Sequence, residues 1–534
     1  MLLLGQAVAA AQLCHGEDEK DEAKQTAPLR NLQIHHPPVV PVGGKSCSVE
    51  LLKHNFGLSY YKPAIAKYNP PRGCGKPGTW AAVILNLTVT SNGTQFDRLA
   101  SLSLDHVETG QLLFELNNIL DDKYTGIFTT TLTATFYEPT DSFPALPRAD
   151  KILPVTASSK KGSQMLVYPG DASAKVKVPI NTAEAWLEII ATGAGDEEFW
   201  YTNVLDRWQS YFPEAGLIGK GPLREVQVFV DDTLAGLVYP FPVVYTGGAN
   251  PLLWRPLASL RAFDIPSLFV DLSPFIPTLT DGKSHNISFK VLGQGEGGTV
   301  NDHWFITGAL HIVLDPTVPP VRTTGKTLIY QITPEPFVLS AGLPSADSAT
   351  LKTSAKGTHS VDILAELKTG SGTKRVRWGQ AASFANRQYY ADNGTYESVN
   401  QETNVIYTSM HGPRVLYRDT YRFALSLRTN YTSLSTSGTF SASLPEYIYN
   451  RALSLPPSLG GVSGKADTTR SEQRGWAAIT GKEEGRSVGR GEMQEEYDWM
   501  GVRDDSYWEV TKAVNSTIAS RRVGGTLAHK AGPA

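Results

Sequence analysis

Leu223-Arg-Glu-Val-Gln-Val-Phe-Val230 alternates apolar and polar side chains and runs straight into Asp231-Asp232. A period of two, closed by a polar turn, is the pattern of a strand with one buried face. The same text recurs in Leu132-Thr-Ala-Thr-Phe-Tyr137 and in Trp80-Ala-Ala-Val-Ile-Leu-Asn-Leu-Thr-Val-Thr90, the latter ending at Ser91-Asn92-Gly93-Thr94. No stretch holds a helical period of useful length. The chain's 48 Gly, 34 Pro and 22 Tyr favour short strands and turns over long helices. The fold class expected is all-β: two jelly-roll or β-sandwich-like domains with disordered termini.

At 534 residues the chain is longer than one hydrophobic core usually supports, so more than one domain is expected. Residues 1–45 read as a signal-like and disordered N-terminal segment. Met1–Leu13 is apolar but lacks a basic start, Glu17–Gln25 is charged, and Pro37-Pro38-Val39-Val40-Pro41 is a stiff extended lead-in. Residues 46–315 read as a first β-sandwich domain, closed by the Pro-rich break Asp315–Pro320. A second β-rich domain follows over 321–455, with Val415–Thr429 its clearest strand. Beyond Pro456 the composition shifts to Gly, Ser, Arg and Glu, and 456–534 reads as a low-complexity, disordered tail.

A net charge of −3 gives no electrostatic reason to bind nucleic acid or an anionic membrane surface. Of the three cysteines, Cys14 lies in the N-terminal segment, which leaves Cys47 and Cys74 for one disulfide. Sequons stand at Asn86, Asn92, Asn286, Asn393, Asn430 and Asn515. With scarce cysteine they favour the secretory pathway, and hence an extracellular or vacuolar protein or one anchored in a membrane through further N-terminal sequence.

Motif readings narrow the chemistry. Gly293-Gln-Gly-Glu-Gly-Gly298 fits the dinucleotide pattern, but Thr-Val-Asn-Asp-His-Trp-Phe follows it and opens no helix, so a hairpin loop is expected. Gly325-Lys326-Thr327 lacks the first glycine of a P-loop, and no G-x-S-x-G elbow presents a serine. His303 and His311 have no metal-ligand spacing around them and read as structural. Carboxylates remain. Gly195-Asp-Glu-Glu-Phe-Trp-Tyr-Thr-Asn203 runs acids directly into aromatics, and Gln95-Phe-Asp-Arg-Leu99 sets Asp97 between an aromatic and an arginine. Asp264 and Asp271 lie in similar acid–aromatic–proline loops. Desolvation against aromatic surface raises a carboxyl pKa and readies it for proton transfer, while an acidic turn entering a buried strand is the plainer alternative.

The order of these segments carries more than any one of them. Gln95–Leu99 is followed by Tyr124-Thr-Gly126, Ala134–Tyr137, Ala149-Asp150, Glu197–Tyr201 and Arg224–Val226. Then come Pro240-Phe-Pro-Val-Val-Tyr-Thr-Gly-Gly248, Leu253-Trp-Arg-Pro256, Phe263-Asp264 and Asp281-Gly-Lys-Ser-His285. The series resembles the peptide:N-glycanase A family of plants and fungi, from Cys47 to Leu314 and more loosely to Leu444. That resemblance implies a glycoamidase, which hydrolyses the amide joining the innermost N-acetylglucosamine of an N-glycan to an asparagine side chain. It implies N-glycopeptides or denatured glycoproteins as substrates, no obligate protein partner, and no metal or organic cofactor. A carboxylate must activate water, donors must hold the oxyanion, and an acid must protonate the departing amine.

Within that reading Asp97 is the water-activating base, and Glu197 or Glu198 is the acid, its pKa raised by the Phe199-Trp200-Tyr201 wall. Arg98 and Arg224 donate to the carbonyl oxygen or to sugar hydroxyls. Trp200, Tyr201, Tyr245 and Trp254 stack on sugar rings, and Gly247-Gly248 lets backbone approach the ligand. One departure from the family matters. Relatives carry a further strand, an Arg-Thr-Ser-Thr loop and a Gly-Ile-x-Trp segment where Leu104-Asp-His-Val-Glu108 here runs directly into Thr109-Gly-Gln-Leu-Leu113. The loss would leave backbone groups of a sandwich unpaired. It favours the alternative reading, a catalytically inactive glycan-binding β-sandwich of the same family.

Overall fold

A computed structural model describes residues 8–11, 31–69, 71, 73, 75–76, 78–95, 98–104, 110–159, 162–245, 249–333, 337–346, 349–431, 439–483 and 486–531. These build two sandwiches and one large sheet, almost wholly from antiparallel strands. In the first sandwich, Ile127–Tyr137 lies between Ser46–Phe56 and Ala82–Asn92. Its alternate residues Phe128 and Leu132, with Leu52 and Phe56, pack on Ala100, Leu102, Leu112 and Phe114 of the facing sheet. That second layer orders Val8–Ala11, Arg98–Leu104, Gly110–Leu116 and Ala64–Tyr68. Arg98–Leu104 and Gly110–Leu116 pair with each other, Leu104 opposite Leu112 and Ala100 opposite Leu116, so their backbone groups are satisfied across the junction.

The second sandwich sets Lys151–Val155, Leu166–Tyr168, Thr182–Gly193, Leu268–Asp271 and Trp304–Leu314 against Ser173–Val176, Glu225–Val230, Thr233–Val238 and His285–Leu292. The opening stretch supplies its central strand from Glu225 onward. Asp231 and Asp232 take φ values of 45° and 67°, and Val230 faces Thr233. Left-handed backbone at both turn residues matches the twist of the flanking strands, and Asp tolerates it.

From Thr324 to Gly524 the chain forms a single eleven-stranded antiparallel sheet. Its long strands bury every second residue, as in Leu351–Thr369, where Val361, Ile363, Ala365 and Leu367 face inward. The inner face lies on the second sandwich, and one buried cluster runs from Ile34 through Trp186 and Trp378 to Leu527. Amide side chains on that face serve as partners for irregular backbone. Gln380 exchanges both bonds with Leu237 (2.8 and 2.6 Å), Asn386 donates to the Tyr201 carbonyl (2.9 Å), and Gln473 donates to the Ala258 carbonyl (2.7 Å). Buried loops need such partners. The Pro-rich break at Asp315–Pro320 therefore marks a change of sheet without a break in the core.

Both termini depart from expectation. Residues 456–534, expected to be disordered, contain the strands Asp467–Glu483, Arg486–Met500, Ser506–Val514 and Thr517–Gly524, which continue the large sheet. Their alternate residues turn inward, so that Ala477, Met493, Tyr497, Trp499 and Tyr507 are buried together with Gln473, Glu495 and Glu509. Composition averages the two faces and hides the pattern. Within the N-terminal segment, Leu32 bridges to Leu257, Ile34 is buried, and His36 stacks on Trp499 with ring centroids 3.6 Å apart.

The tail strands carry a testable consequence. Glu495 is fully buried, and burial pushes its carboxyl up to about 8 from 4.5, although Gln473 and Ser471 donate to it. The folded chain thus holds a proton that the unfolded chain releases. Stability from this group is fully present below pH 4.5 and is lost as pH rises towards 8. Glu495→Gln, which keeps the shape and removes the titration, is expected to melt above the parent by a margin that widens from pH 5 to pH 8.

Candidate active site

The two sandwiches meet where Leu99 packs against Ile190 and Ile265. Leu99 opens the strand Arg98–Leu104, directly after the Gln95–Arg98 segment, and Ile190 lies in Thr182–Gly193. Both flanks of the acid-bearing segment are held. Gln95 is buried and donates to the carbonyls of Gly126 and Ile119, the latter at 3.1 Å, and Arg98 reaches the Gln95 side-chain oxygen at 3.4 Å. Asp97 itself lies outside the described residues, as do Cys74, Gly247 and Gly248. Two residues beyond Ile190, on the same face of its strand, Thr192 meets the Tyr245 hydroxyl at 3.3 Å. Asp264, next to Ile265, is exposed and accepts from Arg261 at 3.1 Å. Glu198 and Tyr245 are half-buried and both act electrostatically on the Tyr201 hydroxyl.

The other residues singled out in sequence lie deeper. Glu197 is fully buried and holds a bidentate ion pair with Arg224, whose Nη2 lies 2.7 Å from Oε1 while Nε donates to Oε2. The backbone N–H of Asn301 donates to Oε1 at 2.8 Å, its side-chain amide at 3.2 Å, and Trp304 Nε1 donates to Oε2 at 2.8 Å. Arg224 gives its remaining donors to the carbonyls of Gly221 and Leu223, at 2.8 and 2.6 Å. This corrects the expected raised pKa. Burial alone would raise the carboxyl, but the Arg224 charge and the donated hydrogen bonds hold it below the usual carboxylate range. A carboxylate so held is a structural anion and a poor proton donor. Arg224, spent on Glu197 and on backbone carbonyls, has no geometry for a substrate.

The aromatic wall is corrected in the same way. Trp200, Tyr201 and Trp254 are 4%, 0% and 0% exposed and belong to the central core, which leaves no ring face for a sugar. Trp200 lies 6.4 Å from Trp304 between ring centroids, and Tyr201 donates to the Val243 carbonyl at 3.4 Å. Asp271 is buried and accepts from Ser273 N–H at 2.8 Å and from Ser409. His311 pairs with buried Glu188 at 3.1 Å, and His303 pairs with Asp302 at 2.5 Å. Cys47 is disulfide-bonded. Of the sequon asparagines, Asn86, Asn92, Asn393, Asn430 and Asn515 are exposed and Asn286 is half-buried. Sequence reasoning missed Thr192, Asn301 and Trp304. Their partners lie between 53 and 107 residues away, so no local signal marked them.

A family model described as peptide N-acetyl-beta-D-glucosaminyl asparaginase amidase A matches residues 37–109 and 108–330, more than half of the chain. The chain belongs to that family. A model of the family's C-terminal domain matches residues 352–425, within the large sheet. The two pieces of the first match meet at Glu108–Thr109, the junction singled out in the sequence. The peptide-N4-(N-acetyl-beta-glucosaminyl)asparagine amidase A of Prunus dulcis is 27% identical over 425 residues, covering 71% of this chain and 72% of that protein. The peptide:N-glycanase A match thus embraces both sandwiches and the seam between them.

Proposed function

We propose that this chain is a glycoamidase that cleaves the amide between the innermost N-acetylglucosamine of an N-glycan and an asparagine side chain. The products are a glycosylamine and a peptide bearing aspartate. The observation that carries this reading is the family match over both sandwiches, with Leu99, two residues beyond Asp97 in the sequence, packed at their seam. In this reading Asp97 takes a proton from the attacking water, and Glu198, with Glu197 committed to Arg224, protonates the departing amine. Arg98 supplies positive charge for the carbonyl oxygen, and Tyr245, oriented by Thr192, borders the sugar. Exposed sequons support a secreted or vacuolar location within the secretory pathway.

The test is incubation of a dansylated N-glycopeptide with the chain at mildly acidic pH, read by mass. Expected is a peptide carrying aspartate where the glycosylated asparagine stood. The junction at Glu108–Thr109 favours one second reading, glycan binding without turnover. A folded chain that binds the glycopeptide and leaves its asparagine intact would establish that reading instead.

A further inference from the structure

The outer face of the large sheet carries a trough that plays no part in the seam. The strands Leu351–Thr369, Gly372–Ala391, Tyr396–His411, Arg414–Tyr431 and Phe440–Ser454 turn one set of alternate residues onto the second sandwich and the other set to solvent. On the solvent side two open depressions, of about 550 and 500 Å³, adjoin at Ser383 and Asn404. Their combined size suits two or three linked sugar rings rather than one small metabolite. The floor is made of short side chains, Ala381, Ser383, Ala385 and Ala424, over which a flat ring can lie.

The walls are polar and cross-braced. Ser426 donates to Asn400 Oδ1 at 2.9 Å, and Asn404 Nδ2 donates to Glu402 Oε1 at 2.8 Å. Arg422 bridges Glu402 at 3.1 Å and Glu446 at 3.8 Å. Lys356 and Arg387 complete the lining. Planar amides, carboxylates and guanidinium groups held in place by one another offer donors and acceptors side by side. Sugar hydroxyls, each donor and acceptor at once, match such a mixture. A polyanion is matched less well, because Glu402 and Glu446 stand among Lys356, Arg387 and Arg422 and leave little net positive charge. An apolar peptide finds little purchase, since the large exposed hydrophobics among the lining residues are Leu339 and Ile406.

We infer that this trough binds a neutral oligosaccharide of the class that an N-glycan presents, at a site apart from the seam. The identity of the glycan rests on the proposed glycoamidase reading, whereas its chemistry rests on the trough alone. The probe is a released, reduced high-mannose N-glycan, which has no amide to cleave. Its affinity is measured by titration calorimetry against the parent chain, Ser383→Trp and Asn404→Ala. Ser383 is exposed, so a tryptophan there fills the trough without entering the core. The parent is expected to bind. Both variants should bind at least about tenfold more weakly, a loss of about 1.4 kcal/mol, with melting midpoints unchanged. Cleavage of a short glycopeptide carrying only two N-acetylglucosamines should also be unchanged. Equal affinity in all three chains, or no binding by the parent, would overturn the inference. A parent that binds the glycan and cleaves nothing would overturn the glycoamidase reading and leave the trough standing.

Discussion

Glu197→Gln is expected to unfold the second sandwich well below the parent's melting temperature rather than merely to slow a reaction. The carboxylate is fully buried, and its two oxygens together receive Arg224, Asn301 and Trp304. An amide in its place turns one acceptor into a donor aimed at a guanidinium or an indole N–H. Arg224, itself 1% exposed, is left without its bidentate anionic partner. Removing one partner of a buried ion pair costs about 3–5 kcal/mol, because the survivor keeps its desolvation penalty. The same linkage sets an acid limit. With its folded pKa depressed, Glu197 contributes stability above pH 4.5, and that stability is lost as pH falls from there through the folded value. Melting followed by tryptophan fluorescence is a direct readout, since Trp304 touches the carboxylate and Trp200 lies beside it. A variant that melts with the parent and loses only turnover would instead return Glu197 to the role of proton donor.

What the sequence revealed, and what it hid, follows from which interactions are local. The hairpin at Asp231-Asp232 was legible because alternation and turn chemistry act within ten residues. The large sheet was only half legible. Its inner face uses Gln380, Asn386, Gln388 and Gln473, polar residues that are buried against carbonyls of the second sandwich. A polar residue gives no local sign of whether its partner will be water or a distant backbone. The tail was misread for the same reason: Asp467–Glu483 is rich in Arg, Glu and Thr, yet Ala477 and Gln473 are buried. At the candidate site the acid–aromatic run was correctly marked as unusual and wrongly oriented. Glu197 and Trp200 point into the core, whereas Glu198 stays half-buried. Which of two adjacent acids turns inward is decided by Arg224 and Trp304, which are 27 and 107 residues away.

Asp97→Asn is expected to lower kcat by about 10²–10⁴-fold, the range ascribed to a positioned general base, with KM and melting temperature unchanged. The argument starts from the flanks. Gln95 is anchored to the Ile119 and Gly126 carbonyls, and Leu99 packs against Ile190 and Ile265, so the residues on either side of the acid-bearing pair are held. Asparagine has the shape of aspartate and leaves those anchors untouched. What it lacks is the ability to take a proton from water, so the loss should fall on turnover rather than on glycopeptide affinity. Glu198→Gln provides the contrast. If it protonates the departing amine, its removal should lower kcat and weigh little on folding. Asp97→Asn and Glu197→Gln then separate by observable: one loses rate with its structure intact, the other loses structure and rate together. Full activity in Asp97→Asn would take Asp97 out of the chemistry, and Asp264, exposed beside Ile265 at the same seam, would be the next carboxylate to replace.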